Sequence, residues 1–158
     1  MPRALELAAK AFAFAGGAVM VAMLCMSVAS ITGRVVYGKP VQGDFELVQL
    51  GCAVGIAAFL PWCQWRRGNI IVDFFTTRLP PRAQGALDGI GALLLALVMG
   101  LVAWRATEGA ISVYASGERA MISRYPQWIG YAAIVPSLAL TALVGFYTAW
   151  LSFTAKKP

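Results

Sequence analysis

Pro61-Trp62-Cys63-Gln64-Trp65-Arg66-Arg67-Gly68-Asn69-Ile70-Ile71-Val72-Asp73-Phe74-Phe75-Thr76-Thr77-Arg78-Leu79-Pro80-Pro81-Arg82 interrupts an otherwise apolar chain with its densest basic patch. Two tryptophans stand where a membrane helix would end, and two arginines follow. Indole rings favour the membrane–water interface, and Lys and Arg accumulate on its cytoplasmic side. The stretch therefore reads as a helix leaving the bilayer into the cytoplasm. Beyond it, Ile70, Ile71, Phe74 and Phe75 fall on one helical face, with Asn69, Asp73, Thr76 and Thr77 on the other. Residues 69–79 are too few to cross a bilayer, and a segment of this pattern lies in the headgroup plane. Pro80-Pro81 ends it, because a residue before proline is pushed out of the helical region.

The rest of the chain fits a membrane reading. Of its 158 residues 59% are hydrophobic and 13% charged, and its mean hydropathy is +0.71. A soluble domain carries about 25% charged residues. A span needs about 20 apolar residues, and the charge-free runs predict four of them, at about 11–33, 47–65, 83–104 and 128–153. The first is too long for the apolar region of a signal peptide. The third holds Asp88 near one headgroup layer, with Arg105 snorkelling at the other. Arg105 to Gln127 reads as the longest polar connection, and Pro136 as a kink in the fourth span. Gly51 and Gly55 form a GxxxG pair, and Gly85 and Gly89 a second small-residue face; both suit close helix approach. The expected architecture is one all-α membrane domain of four transmembrane helices, with a short amphipathic interfacial helix between the second and third.

Orientation follows from the 13 Lys and Arg residues. With the N-terminus inside, the cytoplasmic segments hold Arg3, Lys10, Arg66, Arg67, Arg78, Arg82, Lys156 and Lys157. The outer loops hold Arg34, Lys39, Arg105, Arg119 and Arg124. The bias places both termini in the cytoplasm.

Absences narrow the chemistry. There is no histidine, which disfavours haem ligation. None of the seven carboxylates (Glu6, Asp44, Glu46, Asp73, Asp88, Glu108 and Glu118) lies mid-span, where pumps and coupled transporters keep ionisable groups. The net charge of +6 is spread over span ends, which suits anionic lipid and topology rather than nucleic acid. Cys25, Cys52 and Cys63 show no metal or disulfide spacing. Met20, Met23 and Met26 beside Cys25 could offer soft ligands for copper(I), but flexible apolar packing explains them more simply. Asp44 and Glu46 open the second span, where helix capping and the macrodipole already favour carboxylates. No metal, cofactor or catalytic group is expected.

Three stretches in order carry a resemblance: Gly43-Asp44-Phe45-Glu46-Leu47; Trp65-Arg66-Arg67-Gly68-Asn69-Ile70-Ile71-Val72-Asp73 with Leu79-Pro80; and Tyr125-Pro126-Gln127-Trp128-Ile129-Gly130-Tyr131-Ala132-Ala133-Ile134-Val135-Pro136. Together they resemble the small membrane subunit (DctQ-like) of TRAP, or tripartite ATP-independent periplasmic, transporters. Asn69 departs from the pattern, since relatives often carry histidine or another polar residue there. The resemblance implies an accessory, scaffold-like subunit of the bacterial inner membrane, not an enzyme. Its partners would be a large elevator-type membrane subunit, a periplasmic substrate-binding protein and membrane lipids. The imported substrate would be an organic acid such as a carboxylate or sialic acid, and the coupling sodium would bind the large subunit rather than this chain. Candidate contacts are Arg66, Arg67 and Asp73 on the cytoplasmic side, and Arg34, Lys39 and Glu46 on the periplasmic side. A small subunit of a tripartite tricarboxylate transporter, a self-assembling exporter and a haem-free oxidoreductase anchor are the alternative readings.

Overall fold

The computed structural model describes residues 2–66 and 81–154, and among them every regular element is helical. Four helices follow one another: α1 (Pro2–Tyr37), α2 (Asp44–Trp65), α3 (Pro81–Ser116) and α4 (Trp128–Thr154). Each contains a segment long and apolar enough to cross a membrane. The expected interfacial helix at 69–79 lies outside the described residues.

The helices run further than the charge-free segments. α1 starts at Pro2, whose fixed φ suits a first helical position, and a Lys10–Glu6 ion pair at 2.9 Å reinforces its first turns. It stops at Gly38, whose φ of +66° is left-handed. α3 corrects the expected connection from Arg105 to Gln127, because the helix continues to Ser116. Arg105 does not end it but pairs with Glu108 one turn on, at 2.8 Å. Termination comes at Gly117, with φ +67°. There the Gly117 N–H donates to the Tyr114 carbonyl and the Glu118 N–H to the Val113 carbonyl, each at 3.3 Å. That two-bond pattern is a Schellman motif, which needs a left-handed residue just past the helix. α1 and α3 have 36 residues each, about 54 Å of helix. A hydrocarbon core is about 30 Å thick, so tilt or projection beyond it takes up the excess.

Packing is a row rather than a closed bundle. α1 lies against α2, α2 against α4 and α4 against α3, with a thin contact between α1 and α4. The order in space is α1–α2–α4–α3, so α2 and α4 are central. Matched pairs fix the directions. Ser137 meets Ala57 and Gln64 meets Thr148, so α2 and α4 run parallel. α1 runs antiparallel to α2, and α3 to α4. The start of α1 and the end of α4 therefore share one end of the row.

Small residues make the contacts. A Cβ on Gly55 would stand 2.8 Å from Met20 Cγ, and one on Gly51 would overlap the Met23 side chain. The GxxxG pair thus receives two methionines of α1, and Gly16 lies close to Ala58 in turn. Met20 and Met23 are packing side chains. A Cβ on Gly89 would come 2.8 Å from the Phe153 ring, whereas at Gly85 the nearest atom is the Ser152 carbonyl oxygen at 3.9 Å. Pro61 sits inside α2 and is fully buried. Proline has no N–H, so the Ala57 carbonyl one turn earlier loses its helical donor. The Ser137 hydroxyl of α4 donates to that carbonyl instead. Nearby, Gln64 Nε2 donates to Thr148 Oγ1 at 3.0 Å, and the Thr148 hydroxyl donates to the Gly145 carbonyl at 3.0 Å. No buried side-chain N or O among the described residues is left without a partner, as an apolar surrounding requires.

Candidate interaction sites

The Gly43-Asp44-Phe45-Glu46 stretch opens α2 and ties three parts of the chain together. Gly43 has φ +74°, and a Cβ there would lie 2.7 Å from Ser123 Cβ, so glycine serves both the turn and the close approach. Asp44 turns towards α1: the buried Ser30 hydroxyl donates to Oδ2 at 2.5 Å, and Ser30 Oγ itself accepts the Val41 N–H at 3.3 Å. Arg34 Nη2 stands 3.7 Å from the same Oδ2, largely in solvent. An exposed pair of that length contributes little to stability.

Glu46 turns the other way, into the hairpin between α3 and α4. That hairpin is closed by the Ala120 N–H donating to the Tyr125 carbonyl at 3.0 Å and the Gln127 N–H to the Glu118 carbonyl at 3.2 Å. At its tip the Ile122 N–H donates to Glu46 Oε1 at 3.1 Å. The Ser123 N–H and hydroxyl both donate to Oε2, at 3.0 and 2.6 Å. Hydrogen bonds to a charged acceptor are the stronger kind. Burial raises the Tyr125 hydroxyl above its ordinary pKa, and the nearby Glu46 charge adds to this. The carboxylate expected to meet a partner is thus engaged within the chain. Glu46→Ala is expected to raise hydrogen exchange at Ile122 and Ser123 about tenfold. Glu46→Gln should raise it less, and amides inside α4 should not change. Unaltered exchange at the tip would show that the hairpin holds without the carboxylate.

The opposite end of the row carries aromatic and basic groups. Trp65 stacks on Tyr147 with centroids 5.8 Å apart and rings 4° from parallel. Trp62 has two cations over its ring, Lys10 Nζ and Arg66 Cζ, each 5.4 Å from the centroid. Arg67 and Asp73, expected beside Arg66, lie outside the described residues. At the far end Lys39 is exposed, and its backbone N–H donates to the Gly33 carbonyl at 3.4 Å. Among the described residues no ion pair links Arg34, Lys39 and Glu46: Arg34 faces Asp44, and Glu46 faces the hairpin. Sequence reasoning missed Ser30, Ser123, Ser137, Gln64 and Thr148, which supply the polar links between helices. The missing donor at Pro61 was the one local signal that could have pointed to such a link.

Among the described residues no three of His, Cys, Asp and Glu gather as a metal-holding group. Comparison with curated proteins gives no match, and comparison with solved structures gives none. A family model described as "Tripartite ATP-independent periplasmic transporters, DctQ component" matches residues 23–155. That range takes in all of α2, α3 and α4 and part of α1, including the Gly43–Glu46 clasp and the hairpin it holds. It describes a transporter component rather than an enzyme, and with four apolar helices it marks a multi-pass membrane protein. The chain belongs to the DctQ component family of tripartite ATP-independent periplasmic transporters.

Proposed function

We propose that the chain is a non-carrying scaffold subunit, which enlarges the membrane-embedded surface of a large transport subunit and binds neither substrate nor ion itself. The observation that carries this is the character of the row. Its two central helices have no Asp, Glu, Lys or Arg between Leu47 and Trp65 or between Trp128 and Thr154, and an ion pathway ordinarily needs ionisable groups at that depth. Meanwhile Val21, Leu24 and Ile31 on α1, and Leu94, Leu97 and Leu101 on α3, are exposed at the two edges. Such faces suit a polytopic partner or lipid. In this reading both termini and Arg66, Arg67 and Asp73 face the cytoplasm of a bacterial inner membrane. Arg34, Lys39 and the clasped hairpin face the periplasm and the binding protein. The large subunit carries sodium and an organic acid.

A mild-detergent pull-down of the tagged chain from its native membrane tests the reading. A stoichiometric many-helix partner is expected to co-purify, and the reconstituted pair should take up an organic acid only with the binding protein and a sodium gradient. The chain emerging alone, and transporting alone, would overturn the scaffold role in favour of a self-assembling carrier.

A further inference from the structure

We propose that the α1–α2 groove beside the start of α1 binds the phosphate of an anionic glycerophospholipid, held by Lys10 and Arg66 around the Trp62 indole. The proposal requires only that the helices cross a bilayer, so it stands or falls separately from the scaffold role. Lys10 and Arg66 come from different helices, yet each is 5.4 Å from the same ring centroid. The two cations therefore stand within twice that distance of each other, so both attract an anion placed beside the ring. Both lie in the range where an aromatic face attracts a cation, so Trp62 pre-positions them. The ring does not remove their mutual repulsion, which is only partly screened at headgroup depth.

Among the described residues local charge is unbalanced towards an anion. Glu6 pairs with Lys10 at 2.9 Å, but among the described residues no carboxylate comes within ion-pair distance of Arg66. Arg3, exposed on the same face two turns before Lys10, adds a further positive charge. An apolar wall leads away from the cations. Phe14, one turn on from Lys10, is 80% exposed, and Phe59, one turn before Trp62, is 39% exposed. The Phe59 ring reaches α1 at Gly16, where a Cβ would stand 3.7 Å away. A free phosphate would use none of this wall, whereas an acyl chain beneath a bound headgroup would lie along it. The groove is thus assigned to a lipid rather than to a soluble anion.

Native mass spectrometry of the full chain, with any subunit it retains, tests the assignment using phosphatidylglycerol and phosphatidylcholine of identical acyl chains. The expected result is one retained phosphatidylglycerol with about tenfold preference over phosphatidylcholine. The preference should vanish in Lys10→Gln/Arg66→Gln. It should survive in the charge-preserving Lys10→Arg/Arg66→Lys, and in Arg119→Gln/Arg124→Gln at the opposite end. Equal binding of the two lipids, an unchanged preference in the neutralised pair, or loss in the charge-preserving pair would overturn it. Displacement by equimolar inorganic phosphate would identify a soluble-anion site and also overturn the lipid assignment.

Discussion

Gly145→Val is expected to cost about 3 kcal/mol or more and to cut the yield of folded chain sharply. A Cβ at Gly145 would sit 2.9 Å from Ala96 Cβ, 3.2 Å from Ala96 Cα and 3.3 Å from the Ala92 carbonyl oxygen. Two of those atoms belong to the α3 backbone, so no flexible side chain can swing aside. The helices themselves would have to separate, along the interface that gives α3 its place in the row. Close backbone approach at small residues is what holds membrane helices together when the surroundings are as apolar as the interface. Gly17→Val is the control, since nothing lies within 4 Å of a Cβ there. Unfolding in detergent, followed by loss of helicity, should show Gly145→Ala weakened, Gly145→Val weakened further and Gly17→Val close to the parent chain. Equal behaviour of the two valine variants would remove the close approach as a cause of stability.

The four helices were legible because charge is so costly in hydrocarbon that its absence marks a span. Their ends were not, because a helix does not stop where charge begins. Lys10 and Arg105 each found a carboxylate one turn away, and the chain stayed helical until a left-handed glycine could close it. Ser116-Gly117 was the readable signal for the end of α3, but the polar character of the segment outweighed it. The order α1–α2–α4–α3 left no trace in residue spacing. Gly51 and Gly55 announce a contact face without naming Met20 and Met23 as its occupants.

The clasp was half legible for the same reason. Asp44 and Glu46 are what a helix start calls for, and local pattern explains them without any distant partner. Their use depends on Ser30 in α1 and Ser123 in the hairpin, two serines that nothing nearby distinguishes from other small polar residues. Glu46 and Ser123 meet only because α2 and α4 run parallel and adjacent, so that the segment entering α4 crosses the start of α2. A carboxylate that reads as a surface contact in one dimension becomes a structural tie in three.

Pro61 offers the sharpest test of how the centre of the row is held. Ser137→Ala is expected to cost about 1–2 kcal/mol, because it leaves the Ala57 carbonyl without a donor in an apolar surrounding. Ser137 is 1% exposed and Pro61 fully buried, so water does not readily replace the hydroxyl. The cost should depend on the proline. In Pro61→Ala the new N–H at position 61 can donate to Ala57 within α2, and the hydroxyl becomes redundant. Ser137→Ala made in that background should then cost less than about 0.5 kcal/mol, a coupling of about 1 kcal/mol between residues on different helices. Comparing the two differences cancels whatever Pro61→Ala changes in packing alone. Detergent unfolding of the four chains in the cycle measures the coupling directly. Additive costs would mean that the Ser137 hydroxyl packs beside Ala57 without replacing the donor that Pro61 lacks. The α2–α4 pair would then be held by shape together with polar links such as Gln64–Thr148.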